Sequence, residues 1–268
     1  MLDKIFAGSI PKFYDEYLVP LIFEPFAVEI VKRIKSHPIS NLLEIAAGTG
    51  VVTRLMASQL PGNVSIVATD LNQAMIDYAI SRGTERPIVW RQADAMHLAF
   101  EEKMFDTVVC QFGAMFFPDK AKAFSQTRRV LKSGGIFIFS VWDKIEENEI
   151  AETVTKALES IFPNNPPRFL VRTPHGYHDP TLIERDLTAG GFKKKAKIET
   201  VSFQIKASSA HVAAMAYCQG TPLRSEIEAH NASRLGEATE IASTAIAKRF
   251  GNGPIVTKIQ AHIINVEN

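Results

Sequence analysis

Residues 42–50 read Leu-Leu-Glu-Ile-Ala-Ala-Gly-Thr-Gly, and this stretch decides the fold. An apolar run enters a turn at Gly48 and Gly50, which is typical of a buried strand followed by a helix. The next apolar run ends at Asp70, twenty positions after Gly50. Glycines let the backbone turn and let a ligand approach closely, and a carboxylate at the second strand's tip can accept hydrogen bonds from two ribose hydroxyls. The stretch therefore predicts a nucleotide-type pocket.

The same stretch departs from the dinucleotide fingerprint G-x-G-x-x-G, because residues 51–53 read Val-Val-Thr and the third glycine is absent. An acidic residue, Glu44, stands four positions before Gly48. In this arrangement the chain resembles the class I (Rossmann-like) S-adenosylmethionine-dependent methyltransferases, whose first strand ends in D/E-x-G-x-G-x-G. Ala46 replaces the first of those glycines, a mild departure that removes backbone freedom but no polar contact. Within that class the chain looks most like the small-molecule branch that includes the ubiquinone/menaquinone-biosynthesis type methyltransferases.

Strands and helices alternate from residue 42 to Trp142, which predicts parallel strands joined by right-handed crossovers. The resemblance implies the whole fold: a three-layer αβα, Rossmann-like, seven-stranded, mostly parallel sheet with an antiparallel last strand, N-terminal helices and a helical insertion between the last two strands. We expect a single methyltransferase domain over residues 1–268. Its parts are an N-terminal helical lid (1–38), a cofactor-binding core (39–143) and a C-terminal completion of the sheet (144–268), with the insertion at about 206–253.

Prolines and glycines set the expected breaks between elements. Residues 10–35 predict two helical pieces broken near Pro20 and Pro25, because proline removes a helix hydrogen bond. The segment 163–180, which contains prolines and histidines, predicts a loop. The run Lys-Ser-Gly-Gly at 132–135 predicts a stop between a helix and the fifth strand, which is expected to begin at Ile136.

The composition is that of an ordinary globular protein, with 46% hydrophobic and 22% charged residues and a formal net charge of +1. Neither nucleic acid nor a charged membrane is expected as a partner, since no long charged block occurs. Cys110 and Cys218 lie in apolar contexts and predict free thiols in a reducing compartment. Residues 1–11 show no secretory pattern, so we expect a cytoplasmic protein. The sequence leaves the oligomeric state open.

The resemblance implies a cofactor role for residues of the first two strands. Glu44 would lie near the methionine moiety and hold its ammonium group directly or through water, although a solvated strand-end charge is the alternative. Ala46, Gly48 and Gly50 would line the loop under the cofactor. Asp70 would accept from the ribose hydroxyls, and the next residue, Leu71, would pack on the adenine.

Two later segments complete the implied cofactor site. Asp94 matches the acidic residue that faces the adenine amino group, with the backbone amide of Ala95 and an apolar wall from Met96. Gln111 and Phe112, at the tip of the fourth strand, would lie beside the methionine portion and the transferred methyl. The residues alone leave alternatives open: Asp94 is also a suitable turn or helix-cap residue, and strand-end amides such as Gln111 often satisfy backbone groups.

The acceptor side carries apolar and aromatic residues after the fourth and fifth strands, where ligands bind in open α/β folds. They indicate an apolar or aromatic acceptor, and they are Gly113, Met115, Phe116, Phe117 and Trp142. Packing around the helix that begins near Asp119 is the alternative for Phe116 and Phe117. The Asn/Asp-Pro-Pro-aromatic motif of nucleic-acid amino methyltransferases is absent, since residues 111–114 read Gln-Phe-Gly-Ala. We therefore expect a small-molecule acceptor.

Two further groups of residues are candidates with ordinary alternatives. Histidines could act as the base if the acceptor is a hydroxyl, although loop or surface positions are the alternative for each; they are His97, His175, His178 and His211. Phe6, Tyr14 and Tyr17 could form a lid, or could simply pack.

The expected function is transfer of a methyl group from S-adenosylmethionine to a small, largely apolar molecule by direct displacement, with S-adenosylhomocysteine as product. A displacement with a good leaving group needs alignment and exclusion of water more than covalent chemistry. Accordingly, no catalytic residue is assigned, and the sequence shows no metal-ligand spacing. A cofactor-binding, non-catalytic regulatory protein is the first alternative. A nicotinamide-dependent oxidoreductase is the second, and the missing third glycine disfavours it.

Overall fold

Seven strands form one sheet in the computed structural model, which describes Phe6 and residues 8–268. The strands are β1 (Asn41–Ile45), β2 (Ser65–Asp70), β3 (Val89–Gln92), β4 (Phe105–Gln111), β5 (Leu131–Trp142), β6 (Lys197–Ala207) and β7 (Ile255–Glu267). Their order across the sheet is β3-β2-β1-β4-β5-β7-β6. Strand β7 pairs antiparallel with both β5 and β6, and the pairs among β1 to β5 are parallel. The predicted sheet, including its antiparallel last strand, is confirmed.

Helices cover both faces of this sheet. They are α1 (Ile10–Phe13), a π-helix (Tyr14–Phe23), α2 (Glu24–Ile34), α3 (Val51–Gln59), α4 (Gln73–Arg82), α5 (Lys120–Val130), α6 (Glu149–Ile161), α7 (Phe169–Arg172), α8 (Pro180–Ala189), α9 (Ala210–Gln219), α10 (Leu223–His230) and α11 (Leu235–Phe250). Successive strand residues point to opposite faces, and both Val108–Cys110 and Phe137–Phe139 are fully buried. Both faces are therefore packed, with α2 against α3 and α5 against α8.

The N-terminal segment differs from the predicted pair of broken helices. Helix α1, the π-helix and α2 follow one another without a gap, and Pro20 lies inside the π-helix. The wider π turn changes which carbonyl faces each N–H, so the missing proline donor does not end the helix. Pro25 lies at the start of α2, directly after the N–H of Glu24 that donates to the carbonyl of Val19 in the π-helix. Its missing N–H therefore falls where the hydrogen-bonding pattern changes from π to α. Residues 1–5 and Ala7 of the predicted lid lie outside the described residues.

Two predicted boundaries are also wrong. The expected loop at 163–180 contains the short helix α7. Strand β5 begins at Leu131 rather than Ile136, because Leu131 already pairs with Phe105 before the pairing resumes between Thr107 and Ile136. Residues 132–135 bulge out between these pairs, so the glycines make a bulge within the strand rather than a boundary.

Helices α9 to α11 occupy the segment between β6 and β7, where an insertion is predicted. Cys110 and Cys218 are free and buried. Among Phe6 and residues 8–268, no helix is both long and apolar enough to cross a lipid bilayer.

The tips of β1 and β4 approach each other closely at Ala46 and Gly113. Ala46 has a positive φ of 56°, a conformation that costs a residue with a side chain. A Cβ on Gly113 would lie 2.4 Å from the Cβ of Ala46 and 2.7 Å from the Sγ of Cys110. Gly113 therefore supplies the space that Ala46 needs, and the two positions form one packing unit.

We expect Gly113→Ala to lower the free energy of unfolding by about 2 kcal/mol, because neither neighbour is the end of a flexible chain and overpacking of this kind costs about 1–3 kcal/mol. Gly236→Ala is the matched control: it lies in α11 with no atom within 4 Å of the added Cβ. Alanine in an open helical site stabilises by up to about 1 kcal/mol. Urea denaturation of both variants measures the two effects, and equal stabilities would contradict the close approach.

Candidate active site

A cavity lies at the carboxyl ends of β1, β2 and β4, with a volume of about 1170 Å³ including its opening to solvent. Small-molecule sites occur at this position in open α/β sheets. Nine of the predicted cofactor residues line the cavity: Ala46, Gly48, Asp70, Leu71, Asp94, Ala95, Met96, Gln111 and Phe112. Residues from four separated segments thus meet on one surface. The remaining two, Glu44 and Gly50, do not line it.

Asp70 is held at the tip of β2 by backbone donors. The N–H of Gly48 donates to its Oδ2 at 2.9 Å, and the N–H of Asn72 donates to its Oδ1 at 2.8 Å. The side chain is buried, and burial raises the pKa of its carboxyl in spite of these hydrogen bonds. The side-chain amide of Asn72 also donates to Oδ1, in a long hydrogen bond of 3.4 Å. An ionised carboxylate offers about four acceptor positions, so one is free for a ligand hydroxyl and a second is only weakly occupied. The geometry fits the predicted ribose role.

Glu44 lies behind the glycine turn rather than on the cavity wall. It is only 1% exposed, and the hydroxyl of Thr53 donates to its Oε2. Burial raises the pKa of its carboxyl to about 8, although Thr53 and Arg54 oppose the shift. Any contact with an ammonium group therefore requires an intervening water or a movement of the turn. Its predicted cofactor role stays a prediction.

Gly50 serves the turn rather than the cavity surface. Its φ of 84° is left-handed, and it begins α3 as the N-cap. A Cβ there would lie 2.9 Å from the indole of Trp90. The residue shapes the loop under the predicted cofactor without facing the cavity.

Gln111 presents an unsatisfied acceptor at the tip of β4. Its Oε1 is buried and has no hydrogen-bond partner among the described residues, while its Nε2 donates to the carbonyl of Phe23 at 3.4 Å. A buried acceptor without a partner costs about 1–3 kcal/mol. A ligand donor would remove that cost, and the ammonium of a methionine moiety is such a donor. This orphaned atom is the observation that best fits the cavity to S-adenosylmethionine.

Asp94 combines the two roles that the sequence left open. Its Oδ1 accepts from the N–H of Met96 at 2.8 Å, which makes a turn, and the residue also lines the cavity. The turn places Ala95 and Met96 on the wall next to Leu71, which is partly exposed. The turn uses Oδ1, and the other oxygen, Oδ2, lies 3.5 Å from the Nδ1 of the exposed His97. Oδ2 is therefore the oxygen that a ligand amino group would share with His97.

The N-terminal segment covers the cavity with two of the three predicted aromatic residues. Phe6 and Tyr14 line it, and Tyr14 stacks on Phe23 with ring centroids 4.9 Å apart. Tyr17 instead stacks on Phe13 and does not reach the cavity. The Tyr14 hydroxyl lies near Gly48, and burial together with Asp70 raises its pKa. The segment thus contributes to the site as well as to packing.

The far end of the cavity is aromatic. Phe112 and Trp142 stack with centroids 3.9 Å apart at an angle of 8°. Phe112 has a positive φ of 52°, a strained conformation for a bulky residue that often marks a functional position. Met115, Phe116, Phe117 and Phe169 continue this wall. Gly113 borders it as well.

Only one of the four candidate histidines lines the cavity. His175 is 6% exposed and belongs to its wall. His97 lies beside Asp94 and Lys122 at an exposed position, and His211 is an exposed partner of Glu240. His178 approaches the carbonyl of His175 with its Nδ1 at 2.8 Å. The sequence treats the four alike because burial of a histidine in a loop leaves no local signature.

Sequence reasoning missed four polar residues of the wall: Asn72, which directly follows the predicted Leu71, and Asn148, Tyr217 and Thr221. Asn148 precedes α6, and Tyr217 and Thr221 come from α9 and the turn after it. These segments are far in sequence from the glycine motif, and no spacing rule connects them to it. The described residues contain no group of three or more His, Cys, Asp or Glu side chains that could hold a metal ion.

The geometry of the core agrees with one sequence match. Residues 43–139 match a family model described as a methyltransferase domain. This part of the chain is therefore similar to a methyltransferase domain, and the strand order of the sheet agrees with that similarity. The predicted resemblance is confirmed, and S-adenosylmethionine is the cofactor of that class.

Relatives and structural neighbours agree with this assignment. The chain is 30% identical over 135 residues to a Saccharophagus degradans protein named ubiquinone/menaquinone biosynthesis C-methyltransferase UbiE, covering 49% of this chain and 53% of the relative. The chain spans about half the length of the curated relatives it matches.

Solved structures show the fold. A Haemonchus contortus phosphoethanolamine N-methyltransferase 2 in complex with phosphomonomethylethanolamine and S-adenosylhomocysteine matches with a TM-score of 0.62 and 17% identity, covering 100% of this chain and 59% of that chain. The [4+2]-cyclase SpnF matches with a TM-score of 0.55 and 17% identity, covering 91% of this chain and 81% of that chain.

The buried Glu44 predicts a pH-dependent difference between wild type and Glu44→Gln. A carboxyl whose pKa rises on folding from 4.5 to about 8 stabilises the fold fully below pH 4.5, and this contribution is lost as the pH rises through 8. Glutamine does not titrate, so the variant should gain stability relative to wild type between pH 5 and pH 8. One pKa unit corresponds to about 1.4 kcal/mol, and we expect a gain of a few kcal/mol at most. Urea denaturation at both pH values measures it.

The exposed Glu101→Gln is the control, and its stability should follow that of wild type at both pH values. Parallel pH profiles for wild type and Glu44→Gln would contradict the burial of an ionisable Glu44 carboxyl.

Proposed function

We propose that the protein transfers the methyl group of S-adenosylmethionine to a small, uncharged, largely apolar acceptor. One observation carries the proposal: a single cavity joins a polar end with Asp70, Asp94 and Gln111 to an aromatic end with Phe112 and Trp142. The two ends match the two partners of a displacement reaction, which must be aligned and shielded from water.

The residues at the polar end would hold the cofactor. Asp70 accepts from the ribose hydroxyls, and the Gln111 Oε1 accepts from the ammonium group. Asp94 accepts from the adenine amino group while Leu71 and Met96 contact the ring. When bound, S-adenosylmethionine supplies a methyl group on a positively charged sulfur, which leaves as a neutral thioether. Phe6 and Tyr14 then exclude water from the polar end of the cavity.

The charges around the cavity favour a neutral acceptor. Neither lysine nor arginine occurs among the described residues that line it, whereas Asp70 and Asp94 do. Carboxylates attract the cationic cofactor and repel an anionic acceptor, and a buried charge without a partner is costly. The phosphate-bearing ligand named for the Haemonchus contortus neighbour would find no cation on this wall. A flat, apolar ring is the acceptor that the aromatic end suits best.

The curated relatives support the same acceptor class. The Saccharophagus degradans relative is named for carbon methylation in ubiquinone and menaquinone biosynthesis. A quinone-type ring in its reduced, quinol form is flat, uncharged and largely apolar, and its carbon atoms are electron-rich enough to attack the methyl group. Carbon methylation of such a ring is therefore included in the proposal.

Cofactor binding without methyl transfer is the second candidate, and one comparison favours it. SpnF, which shares the fold, is named a [4+2]-cyclase, so the fold does not by itself dictate methyl transfer. Transfer of an isotope-labelled methyl group to naphthol and quinol acceptors separates the two candidates. Product formation supports the first, and tight cofactor binding without any transfer supports the second.

Calorimetric titration with S-adenosylmethionine and S-adenosylhomocysteine tests the cofactor site. We expect Asp70→Ala to bind both ligands more weakly than wild type by at least about 100-fold, because two hydrogen bonds to a charged acceptor are lost and such bonds contribute about 1.5–3 kcal/mol each.

The control variant Asp77→Ala removes a carboxylate that lies close to Asp70 in the sequence but at an exposed position of α4. This variant should bind both ligands like wild type. Circular dichroism would verify that each variant is folded. Absence of binding by folded wild type would overturn the proposed function.

A further inference from the structure

His175 lies on the acceptor part of the cavity with one ring nitrogen already committed. Its Nδ1 is 2.8 Å from the main-chain oxygen of Asp143. A carbonyl oxygen only accepts hydrogen bonds, so Nδ1 must carry the hydrogen. In the neutral imidazole, Nε2 then has a free lone pair. No described residue donates a hydrogen bond to that nitrogen.

The carbonyl that fixes this tautomer is itself held firmly. The N–H of Asp143 donates to the carbonyl of Gln260 on β7 at 3.1 Å, and the side-chain amide of Gln260 donates to the Asp143 Oδ2 at 2.6 Å. The ring of His262 lies 3.3 Å from the Oδ1. The orientation of the His175 ring is therefore set by the pairing of β5 with β7, and the ring does not rotate freely.

The charge state of His175 agrees with the tautomer. Burial lowers the pKa of its imidazole to about 4, and His178 also lowers it, while the hydrogen bond to Asp143 and the charges of Asp143 and Glu146 act in the opposite direction. Because the group is neutral at physiological pH, the Nε2 lone pair is available to accept a hydrogen.

The other polar side chains near this part of the wall are not bases. Asn148 donates to the carbonyls of Lys144 and Gln260, and the Thr221 hydroxyl donates to the carbonyl of Tyr217. Burial raises the pKa of the Tyr217 hydroxyl, which therefore stays protonated and does not act as a base. Among these side chains, His175 is the one that can take a proton from a ligand.

We propose that the acceptor is an aromatic alcohol of the phenol or naphthol class and that His175 Nε2 takes its hydroxyl proton during methyl transfer. The inference rests on the proposed function and specifies its acceptor. The ring lies against the wall formed by Phe112 and Trp142, and Trp142 also lies beside His175, with ring centroids 6.1 Å apart.

The proton moves late in the reaction. As the acceptor donates an electron pair to the methyl carbon, the carbon–sulfur bond breaks and its pair stays on the departing sulfur. The hydroxyl hydrogen becomes strongly acidic because positive charge develops on the acceptor, so a base of low pKa is sufficient. The proton passes to Nε2 and then to water. Attack through the oxygen gives an ether; attack through the conjugated ring carbon gives a ketone that regains its aromatic hydroxyl by shifting the proton of that carbon. Each route releases one proton per methyl group.

His175→Asn separates the two ring nitrogens. The asparagine amide N–H replaces Nδ1 as donor to the Asp143 carbonyl, whereas nothing replaces Nε2. The measurement is a fluorescence titration with 1-naphthol and with 1-methoxynaphthalene, which has the same ring but no hydroxyl hydrogen. We expect wild type to prefer 1-naphthol at least tenfold, and His175→Asn to lose that preference. His211→Asn, the same change at an exposed site, should keep it.

A nitrogen-15 spectrum of the histidine side chains gives an independent readout. Wild type should show His175 as the Nδ1–H tautomer at pH 7, with its Nε2 resonance shifting when 1-naphthol is added. The Nε2–H tautomer, an equal naphthol preference in His175→Asn and wild type, or failure of wild type to bind 1-naphthol would each overturn the proposal.

These titrations need no cofactor, so their outcome is distinct from that of the proposed function. If folded wild type binds neither S-adenosylmethionine nor S-adenosylhomocysteine, the proposed function fails whatever the naphthol result. If His175→Asn binds the cofactor like wild type and keeps the naphthol preference, only the present inference fails.

Discussion

The hydrogen bond from the N–H of Gly48 to the carboxylate of Asp70 holds the site together. It ties the turn after β1 to the tip of β2, so the two strand ends that form the polar end of the cavity move as one body. The Asn72 N–H on the other oxygen fixes the rotation of the carboxylate. Parallel strands bring their carboxyl ends to one edge of the sheet. The hydrogen bond then fixes the relative position of two of these ends, so that they form one binding surface. The close fit of Ala46 against Gly113 then brings the tip of β4 to the same surface.

The cavity concentrates negative charge that the protein does not neutralise within it. Asp70 and Asp94 line it together with neither lysine nor arginine among the described lining residues, and burial raises the pKa of Asp70. Arg54 and Arg82 pair with Asp15 on the covering π-helix instead. Ionised carboxylates that lack a cation destabilise the protein above the pKa of the unfolded groups. A positively charged ligand relieves that cost, so binding and stability are linked. The strained backbone of Ala46 and Phe112 lies at the same edge, as is common where a site is built at the expense of stability.

The sequence predicted the parts of the structure that local pattern determines. The strand, the glycine turn and Asp70 lie within thirty residues of one another, and the alternation of strands and helices leaves few topologies. The sequence did not single out His175, Asn148 or Tyr217, because they reach the cavity through packing of α6, α7 and α9 and share no spacing with the motif. The predicted helix break near Pro20 is wrong for a related reason. Proline ends an ordinary α-helix, but the register of a π-helix depends on tertiary packing, which a local rule does not include. Glu44 was expected on the cavity wall, yet a strand end alone does not reveal that Thr53 draws its carboxyl behind the turn.

The polar end of the cavity has to bind a cation, whereas the acceptor end has to stay uncharged until the methyl group is transferred. The proposed reaction satisfies both conditions. Before transfer, the positive charge would be on the sulfur of the cofactor, which Asp70, Asp94 and Gln111 would hold at the polar end. During transfer it passes through the acceptor to the imidazole of His175, so the total charge in the cavity does not change. Attraction to the carboxylates weakens with distance but is not lost, and a site shielded from water increases it. A histidine that was already protonated would repel the positively charged cofactor and could not accept the proton. A neutral histidine with its Nδ1 hydrogen committed to the Asp143 carbonyl avoids both problems, since it is uncharged when the cofactor binds and has its free lone pair ready when the hydroxyl becomes acidic.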